Sequence, residues 1–295
     1  MNRFEEWTIA YRSIDKAALL LDDRAREFHI IKNTWRYWCA DPHLLEHDGR
    51  TYVFAELYDR VIRRGVIGCC EITDNGYTPW KVVLKMPWHL SYPHVFFYHN
   101  EIYMIPESYM GNEIAVYKAI SFPEKWEKVS TLKADYITVD STLFSVGEKN
   151  WLQTLHFSEN HECFEMFQVE NGKLFEKPLV INVDDANKRP GGKLFSYRGK
   201  LIRPAQDCTQ SYGCALNFYE VTKVEKDAYE EVLLAKVRPT EIQSDFLKIP
   251  QGIHTYNQSE KYEVIDLKSY EKDWLFYIVR PVWFIWRRVK RVFRK

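Results

Sequence analysis

Along the chain, short apolar runs alternate with polar turns, and five run–turn–run units recur at a near-constant interval. ADPHLLEHDGRTYVFAE occupies 40–56, SYPHVFFYHNEIYMIPE 91–107 and VDSTLFSVGEKNWLQTL 139–155. PGGKLFSYRGKLIRPAQ at 190–206 and QGIHTYNQSEKYEVIDL at 251–267 complete the series. In each, an apolar strand meets a turn such as HDG, HN or RG and returns as an aromatic-rich strand, the pattern of a β-hairpin. Counted from Asp41, equivalent positions fall at Tyr92, Asp140, Gly191 and Gly252, with spacings of 51, 48, 51 and 61 residues. Two more strand-like segments follow each of the first four hairpins, for example GVIGCCEIT with WKVVLKM, and EIAVYKAI with WEKVSTL. Four strands per unit of about fifty residues, five times over, predict an all-β chain folded as one five-bladed β-propeller.

After the fifth hairpin too little chain remains for a whole blade before the last 22 residues. The early segment WTIAYRS is therefore predicted to supply the missing outer strand and close the ring. Residues 14–28 read as a short helix decorating that closure. The domain organisation expected is a propeller over 1–273 and a separate tail over 274–295.

The tail departs from the body in polarity and charge. It reads WLFYIVRPVWFIWRRVKRVFRK and holds seven Arg or Lys with no acid. The net charge of the whole is zero, so the rest carries 34 bases against 41 acids, a charge of −7. Trp274 to Trp286 is apolar apart from Arg280 and is broken by Pro281. That run is shorter than the ~20 residues needed to span a bilayer. Beyond it, Arg287, Arg288, Lys290, Arg291, Arg294 and Lys295 alternate with Val289, Val292 and Phe293. Trp, Phe and Ile beside clustered bases suit an amphipathic segment lying in the interface of an anionic membrane surface.

The opening stretch MNRFEEWTIAYRSIDK has early acids and no apolar core of the signal-peptide kind. Six cysteines without a CxxC spacing read as reduced thiols. The expected address is the cytoplasmic face of the cell membrane, held peripherally through the tail. A neutral-to-acidic body argues against nucleic acid as a partner. Aromatic residues make up 16% of the chain, with 19 Tyr, 17 Phe and 10 Trp. Most suit the propeller core, and some would stack on the apolar face of a sugar ring.

Hairpin geometry brings repeat positions zero and fifteen to one mouth of the channel. Position zero holds Asp41, Tyr92, Asp140, Gly191 and Gly252; position fifteen holds Glu56, Glu107, Leu155, Gln206 and Leu267, with Asp207 next. Asp41, Asp140, Glu107, Glu56 and Asp207 are thus candidates to converge around one funnel. Such carboxylates suit glycosyl transfer, which needs an acid and a base or nucleophile a few ångströms apart. Mutual repulsion would split their pKa values into those roles. Each Asp also has an ordinary use, bonding the amides of its own turn. Two residues further in lie His43, His94, Thr142, Lys193 and His254. Three histidines at one repeat position suit sugar hydroxyls, a phosphate, or a divalent cation on the propeller axis. In RPAQDC, Arg203, Gln206 and Asp207 form a hydrogen-bonding set for a polyol or phosphate, and Arg189 and Lys193 beside PGG add positive charge. Walker A, dinucleotide-binding, HExxH and GxSxG motifs are absent from the sequence.

The motifs ADPHLL, HLSYPHVF with EIYMIPES, DSTLF, KLF with GKLIRPAQDC, and GIHTYN follow the order seen in a bacterial and plant propeller family. That family takes its name from the N-terminal domain of plant glucosamine inositolphosphorylceramide transferase, and the chain resembles it over roughly residues 5–268. It is similar in turn to the five-bladed furanosidase propellers of arabinanases, levansucrases and invertases. There an Asp early in blade one is base or nucleophile, a second Asp positions substrate or tunes pKa, and a Glu is the acid. The resemblance implies Asp41 and Asp140 for the two Asp roles and Glu107, in PES, for the acid. VDST stands here where the family pattern has DPT. In the plant protein, transferase chemistry is assigned to a separate C-terminal domain.

Three functions stay open. The first is a membrane-associated glycosyltransferase of cell-surface polysaccharide or glycolipid synthesis, acting on a nucleotide-sugar or lipid-linked glycan. The second is a furanosidase-type glycoside hydrolase, and the third a non-catalytic sugar-binding module.

Overall fold

A computed structural model describes residues 3–15, 19–158, 161–174, 177–181, 183, 186–245 and 249–272, so the tail assigned to 274–295 lies outside the described residues. Within them, five antiparallel sheets form a five-bladed all-β propeller. The first blade holds Tyr37–His47, Arg50–Asp59 and Arg64–Thr73, with Gly76–Tyr77 and Lys81–Leu84 both pairing with the third strand. The second runs Ser91–Tyr98, Glu101–Glu107, Glu113–Ser121 and Lys125–Ala134. The third starts with Thr138–Val146, Lys149–Phe157 and Glu162–Glu170. The fourth is built on Lys200–Asp207, Ala215–Val224 and Tyr229–Val237.

The fifth blade joins distant parts of the chain. Its inner strands are Tyr256–Gln258 and Tyr262–Lys272, its outer strands Arg3–Ser13 and His29–Ile31. WTIAYRS thus closes the ring as the third strand, and His29–Ile31 takes the outermost place. The helix expected over 14–28 does not form in described residues 19–28, which run as turns and bends. There, Asp22 accepts the Leu19 N–H, Asp23 accepts those of Ala25 and Arg26, and buried Glu263 accepts that of Leu20. Side-chain bonds to the backbone have displaced the helical ladder.

Each pair of neighbouring blades shares its own apolar seam. Ile9 and Ile31 meet Cys39, Val53 and Leu57 between blades five and one, and Phe54 and Ile67 meet Met104 and Tyr117 between one and two. Ile105 and Ile114 meet Leu152 and Phe167; Trp151 and Phe164 meet Val224 and Tyr229; Leu216 and Phe218 meet Tyr256 and Ile265. Strands covered on both faces read as continuous apolar runs, which explains the weak alternation in the sequence. All six cysteines are free thiols.

Three hairpins share one irregularity at the mouth. Ala40 pairs with Glu56 but His43 with Phe54; Ser91 with Glu107 but His94 with Ile105; Val139 with Leu155 but Thr142 with Gln153. Each skip is a β-bulge, which re-aims the side chains beside it. The leading bulge residue adopts a positive φ in every case: 52° at Asp41, 40° at Tyr92 and 54° at Asp140. In the fourth blade Gly192 takes φ 140°, and a Cβ there would stand 1.9 Å from the Tyr256 carbonyl oxygen. In the fifth, Gly252 pairs with Lys268 as Ala40 does with Glu56, so that repeat runs one residue out of the sequence alignment.

Closure rests on eleven residue pairs between Arg3–Ser13 and Tyr262–Lys272. Within that pairing, Arg12 Nε donates to Glu263 at 2.7 Å with both side chains buried, and Glu263 also accepts the Tyr256 hydroxyl at 2.9 Å. Removing Arg12 leaves Glu263, among the described residues, with only the longer ion pair to partly exposed Arg26, at 3.2 Å. Arg12→Ala should lower the unfolding free energy by about 3–5 kcal/mol in urea titrations at neutral pH. A loss within experimental error would show that the pair does not hold the closure.

Candidate active site

The bulge of the first blade places Asp41 where three blades meet. Its Oδ2 accepts the Tyr92 N–H at 3.2 Å and its Oδ1 the Thr255 hydroxyl at 3.1 Å, with His254 Nε2 3.3 Å away. Asp266, fully buried on Tyr262–Lys272, holds the group together. It accepts the Asp41 N–H at 3.0 Å and the amides of His254 and Thr255, both at 3.0 Å. His254 Nδ1 lies 2.7 Å from Asp266 Oδ2, and Trp7 stacks on the imidazole at 3.8 Å between centroids. Burial pushes the Asp41 carboxyl up to about 7; His254 pulls it down, while Glu56, Asp140 and Asp266 add to the rise. Burial opposes charge on His254, but Asp266 and Asp41 outweigh it and raise the imidazole.

Asp140 sits in a different setting. Its Oδ2 accepts Arg189 Nε at 2.5 Å and Gln206 Nε2 at 2.9 Å. Glu107 lies against this pair, its Oε2 3.8 Å from Arg189 Nη2. Burial and then the charge of Asp140 lift the Glu107 carboxyl well above the usual range, and Arg189 only partly offsets them. The guanidinium of Arg189 also lies over the Tyr212 ring, 5.0 Å from its centroid. A carboxyl held well above its usual range, a second titrating near neutrality and a fixed cation thus share one buried cluster.

Over residues 32–272 the sequence matches the family described as glucosamine inositolphosphorylceramide transferase 1, N-terminal. The chain belongs to that family. A protein named glucosamine inositolphosphorylceramide transferase 1 from Oryza sativa subsp. japonica is 33% identical over 205 residues, covering 65% of this chain and 27% of the relative. Its namesake from Arabidopsis thaliana is 32% identical over 212 residues, covering 65% and 26%. The chain therefore spans about a quarter of the length of these relatives. Among solved structures, it is similar to the catalytic domain of a GH62 α-L-arabinofuranosidase from Coprinopsis cinerea. The TM-score is 0.59 at 11% identity, covering 81% of this chain and 93% of that one. An α-L-arabinofuranosidase from Podospora anserina in complex with cellotriose gives 0.57 at 9% identity, covering 78% and 90%. At such identities the likeness is one of fold.

The other residues singled out in this member of the transferase N-terminal family divide between the funnel and its surroundings. Glu56 is buried beside the funnel, its Oε1 3.2 Å from His89 Nε2. His89 Nδ1 accepts the Gly65 N–H at 2.9 Å, so Nε2 carries the proton facing Glu56. The Tyr92 hydroxyl bonds Thr142 Oγ1 at 2.9 Å. In the second column only His43 and His94 meet, edge to face at 5.8 Å; the one-residue offset gives the fifth-blade place to Thr255 and sends His254 to Asp41. Lys193 Nζ donates to the Leu44 carbonyl at 2.7 Å, and burial lowers its ammonium to about 7. Burial also holds both column histidines well below their usual range, and Lys193 reinforces this. A divalent cation beside this column would face Lys193. Spacing that suits a metal occurs instead at Asp41, His254 and Asp266, whose ligand atoms lie within 4.8 Å of one another. There His254 and Asp266 already touch.

Of Arg203, Gln206 and Asp207, Gln206 is the one that bonds a funnel carboxylate. Side chains along Lys200–Asp207 point alternately to opposite faces, so orienting Gln206 inward turns Arg203 and Asp207 away. Arg203 is buried against Glu231 at 2.7 Å and lies over the Phe164 ring at 4.6 Å, in the seam of blades three and four. Asp207 accepts the Thr209 amide and hydroxyl at 2.9 and 2.6 Å and pairs with Lys236. These bonds overcome burial and lower its carboxyl to about 2. Asp266, Trp7, Tyr212 and Lys268 were not singled out from the sequence. The available signal was Asp266 and Lys268 themselves, two charges flanking Leu267 in the middle of the strand YEVIDLKSYEK.

Because the Asp207 carboxyl is lowered, the stability it adds is present above the ordinary Asp range and fades as pH falls toward 2. At pH 7, Asp207→Asn should cost about 1–3 kcal/mol, the range for a lost charge-assisted hydrogen bond, read by denaturant unfolding. An unchanged midpoint would contradict this placement.

Proposed function

We propose that the funnel is the catalytic centre of a glycosyl-transferring enzyme, with Glu107 as acid and Asp41 as base. The observation that carries this is the juxtaposition in one buried cluster of two carboxyls in unlike settings: Glu107, raised by burial and by Asp140 beside it, and Asp41, raised to about 7 with His254 3.3 Å away. In the transfer, the donor sugar's C1–O bond breaks and the leaving oxygen takes the Glu107 proton. The acceptor hydroxyl forms the new bond to C1 and gives its proton to Asp41. Asp140, fixed by Arg189 and Gln206, disfavours the ionised form of Glu107 by electrostatic repulsion. Arg189 among these acids suits an anionic group on the donor or acceptor, such as a phosphate. Trp7 and Tyr212 offer ring faces for a sugar.

The names of the plant relatives favour transfer to a lipid acceptor carrying inositol phosphate over transfer to water. The donor is then a nucleotide-sugar or lipid-linked glycan. The basic, aromatic segment 274–295 would keep the enzyme at the cytoplasmic face of the cell membrane.

Purified protein incubated with nucleotide-sugar donors and with aryl furanosides tests the assignment. Turnover of the donors is expected, and Asp41→Asn or Glu107→Gln should lower it by about 10²–10⁴-fold. For the wild type, kcat/KM should rise as pH passes through about 7 and Asp41 loses its proton, then fall as Glu107 loses its own. Glu107→Gln should abolish the alkaline limb. Cleavage of aryl furanosides alone would make the protein a hydrolase. Binding without turnover of either class would leave a sugar-binding module.

A further inference from the structure

The rim of the face that holds the funnel carries the most exposed large apolar side chains among the described residues. Second strands of the hairpins end there, at Asp59, Glu107, Phe157, Asp207 and Lys272, and first strands begin there. Loops flanking those points therefore ring the mouth. They carry Ile249, Met110 and Trp35, exposed by 74%, 72% and 68%, the three most exposed large apolar side chains among the described residues. Val61 and Tyr109 stand on the same loops at 50% and 46%.

These positions are spread around the ring. Trp35 precedes blade one, Met110 follows the second strand of blade two, and Ile249 precedes blade five. The opposite end is made of polar hairpin tips, HDG, HN, GE and RG, with Ile120 and Phe97 exposed beside them at 58% and 48%. Exposed charges on the mouth loops are of both signs, including Lys32, Lys85 and Asp135. Of the two ends, the mouth carries the more exposed apolar side chains. Strand Tyr262–Lys272 also ends here, and in the sequence the aromatic and basic run WLFYIVRPVWFIWRRVKRVFRK follows it one residue later.

We propose that the mouth is a lipid-docking face, whose rim of Trp35, Met110 and Ile249 enters the bilayer interface and opens the funnel onto the headgroups. The proposal rests on the assignment of a lipid-linked substrate and adds the orientation in which it is met. Single apolar side chains around a polar funnel suit interfacial seating: the anchors are shallow, and the ionisable cluster stays among headgroups.

Tryptophan quenching by brominated phosphatidylcholine, in vesicles mixed with phosphatidylserine, reads the orientation in the full chain. The wild type should lose more fluorescence than Trp35→Phe, and a tryptophan introduced by Phe97→Trp on the opposite face should add no quenchable signal. The combined variant Trp35→Ser, Met110→Ser, Ile249→Ser should bind these vesicles about tenfold or more weakly, with turnover of water-soluble substrates unchanged. Equal quenching of wild type and Trp35→Phe, or undiminished binding by the combined variant, would overturn the proposal. So would a dimer in sedimentation that the combined variant dissolves, since the rim would then be covered by a second copy. Failure of the catalytic assignment shows separately, as absence of turnover in the wild type.

Discussion

Asp266 accepts three backbone N–H groups from two blades, and the mouth is assembled around it. It sits at zero exposure on the strand that also closes the ring, so its position depends on the pairing of Tyr262–Lys272 with Arg3–Ser13. Through the Asp41 amide it fixes a residue whose positive φ is costly for any side chain bearing a Cβ. Asp41 in turn holds the Tyr92 amide, another residue with positive φ. Strain at the mouth persists because a buried carboxylate of the fifth blade over-determines it, and ring closure and site assembly become one event.

The same arrangement sets acid–base character. Two carboxyls are buried with incomplete compensation, and both rise: Asp41 to about 7, Glu107 well above its usual range. The sign of the stability linkage follows. Between the ordinary Asp range and about 7, the folded chain holds a proton at Asp41 that the unfolded chain has released, so stability falls as pH climbs through that window. Asp140, between them, is bonded by both Arg189 and Gln206. The fold therefore gives up stability at the mouth and recovers it in five apolar seams and the Arg12–Glu263 pair.

The blades were legible because turn chemistry and strand pattern agree five times over, and a repeated error would be needed to lose them. Asp41, Asp140 and Glu107 fell into one cluster for the same reason: equivalent repeat positions become equivalent places. Departures from the repeat were harder to see. The long 61-residue spacing concealed a one-residue offset, so His254 went to Asp41 and Thr255 to the column. Arg203 and Asp207 looked clustered with Gln206 because sequence proximity ignores the period of two along a strand. The stretch LLLDDRAR looked helical because its capping partners, Glu263 above all, lie more than two hundred residues away. Asp266 was overlooked for being where an apolar residue belongs, which is the mark of a buried charge with work to do.

Burial and Asp140 raise the Glu107 carboxyl, and the proposed acid role requires that it hold a proton in the resting protein. Infrared difference spectroscopy of wild type against Glu107→Gln at neutral pH addresses it directly. The account predicts a protonated-carboxyl C=O band in the wild type that shifts in heavy water and is missing from the variant. A carboxylate band in its place would mean that Glu107 is ionised at rest, and the assignment of acid and base at this mouth would fail.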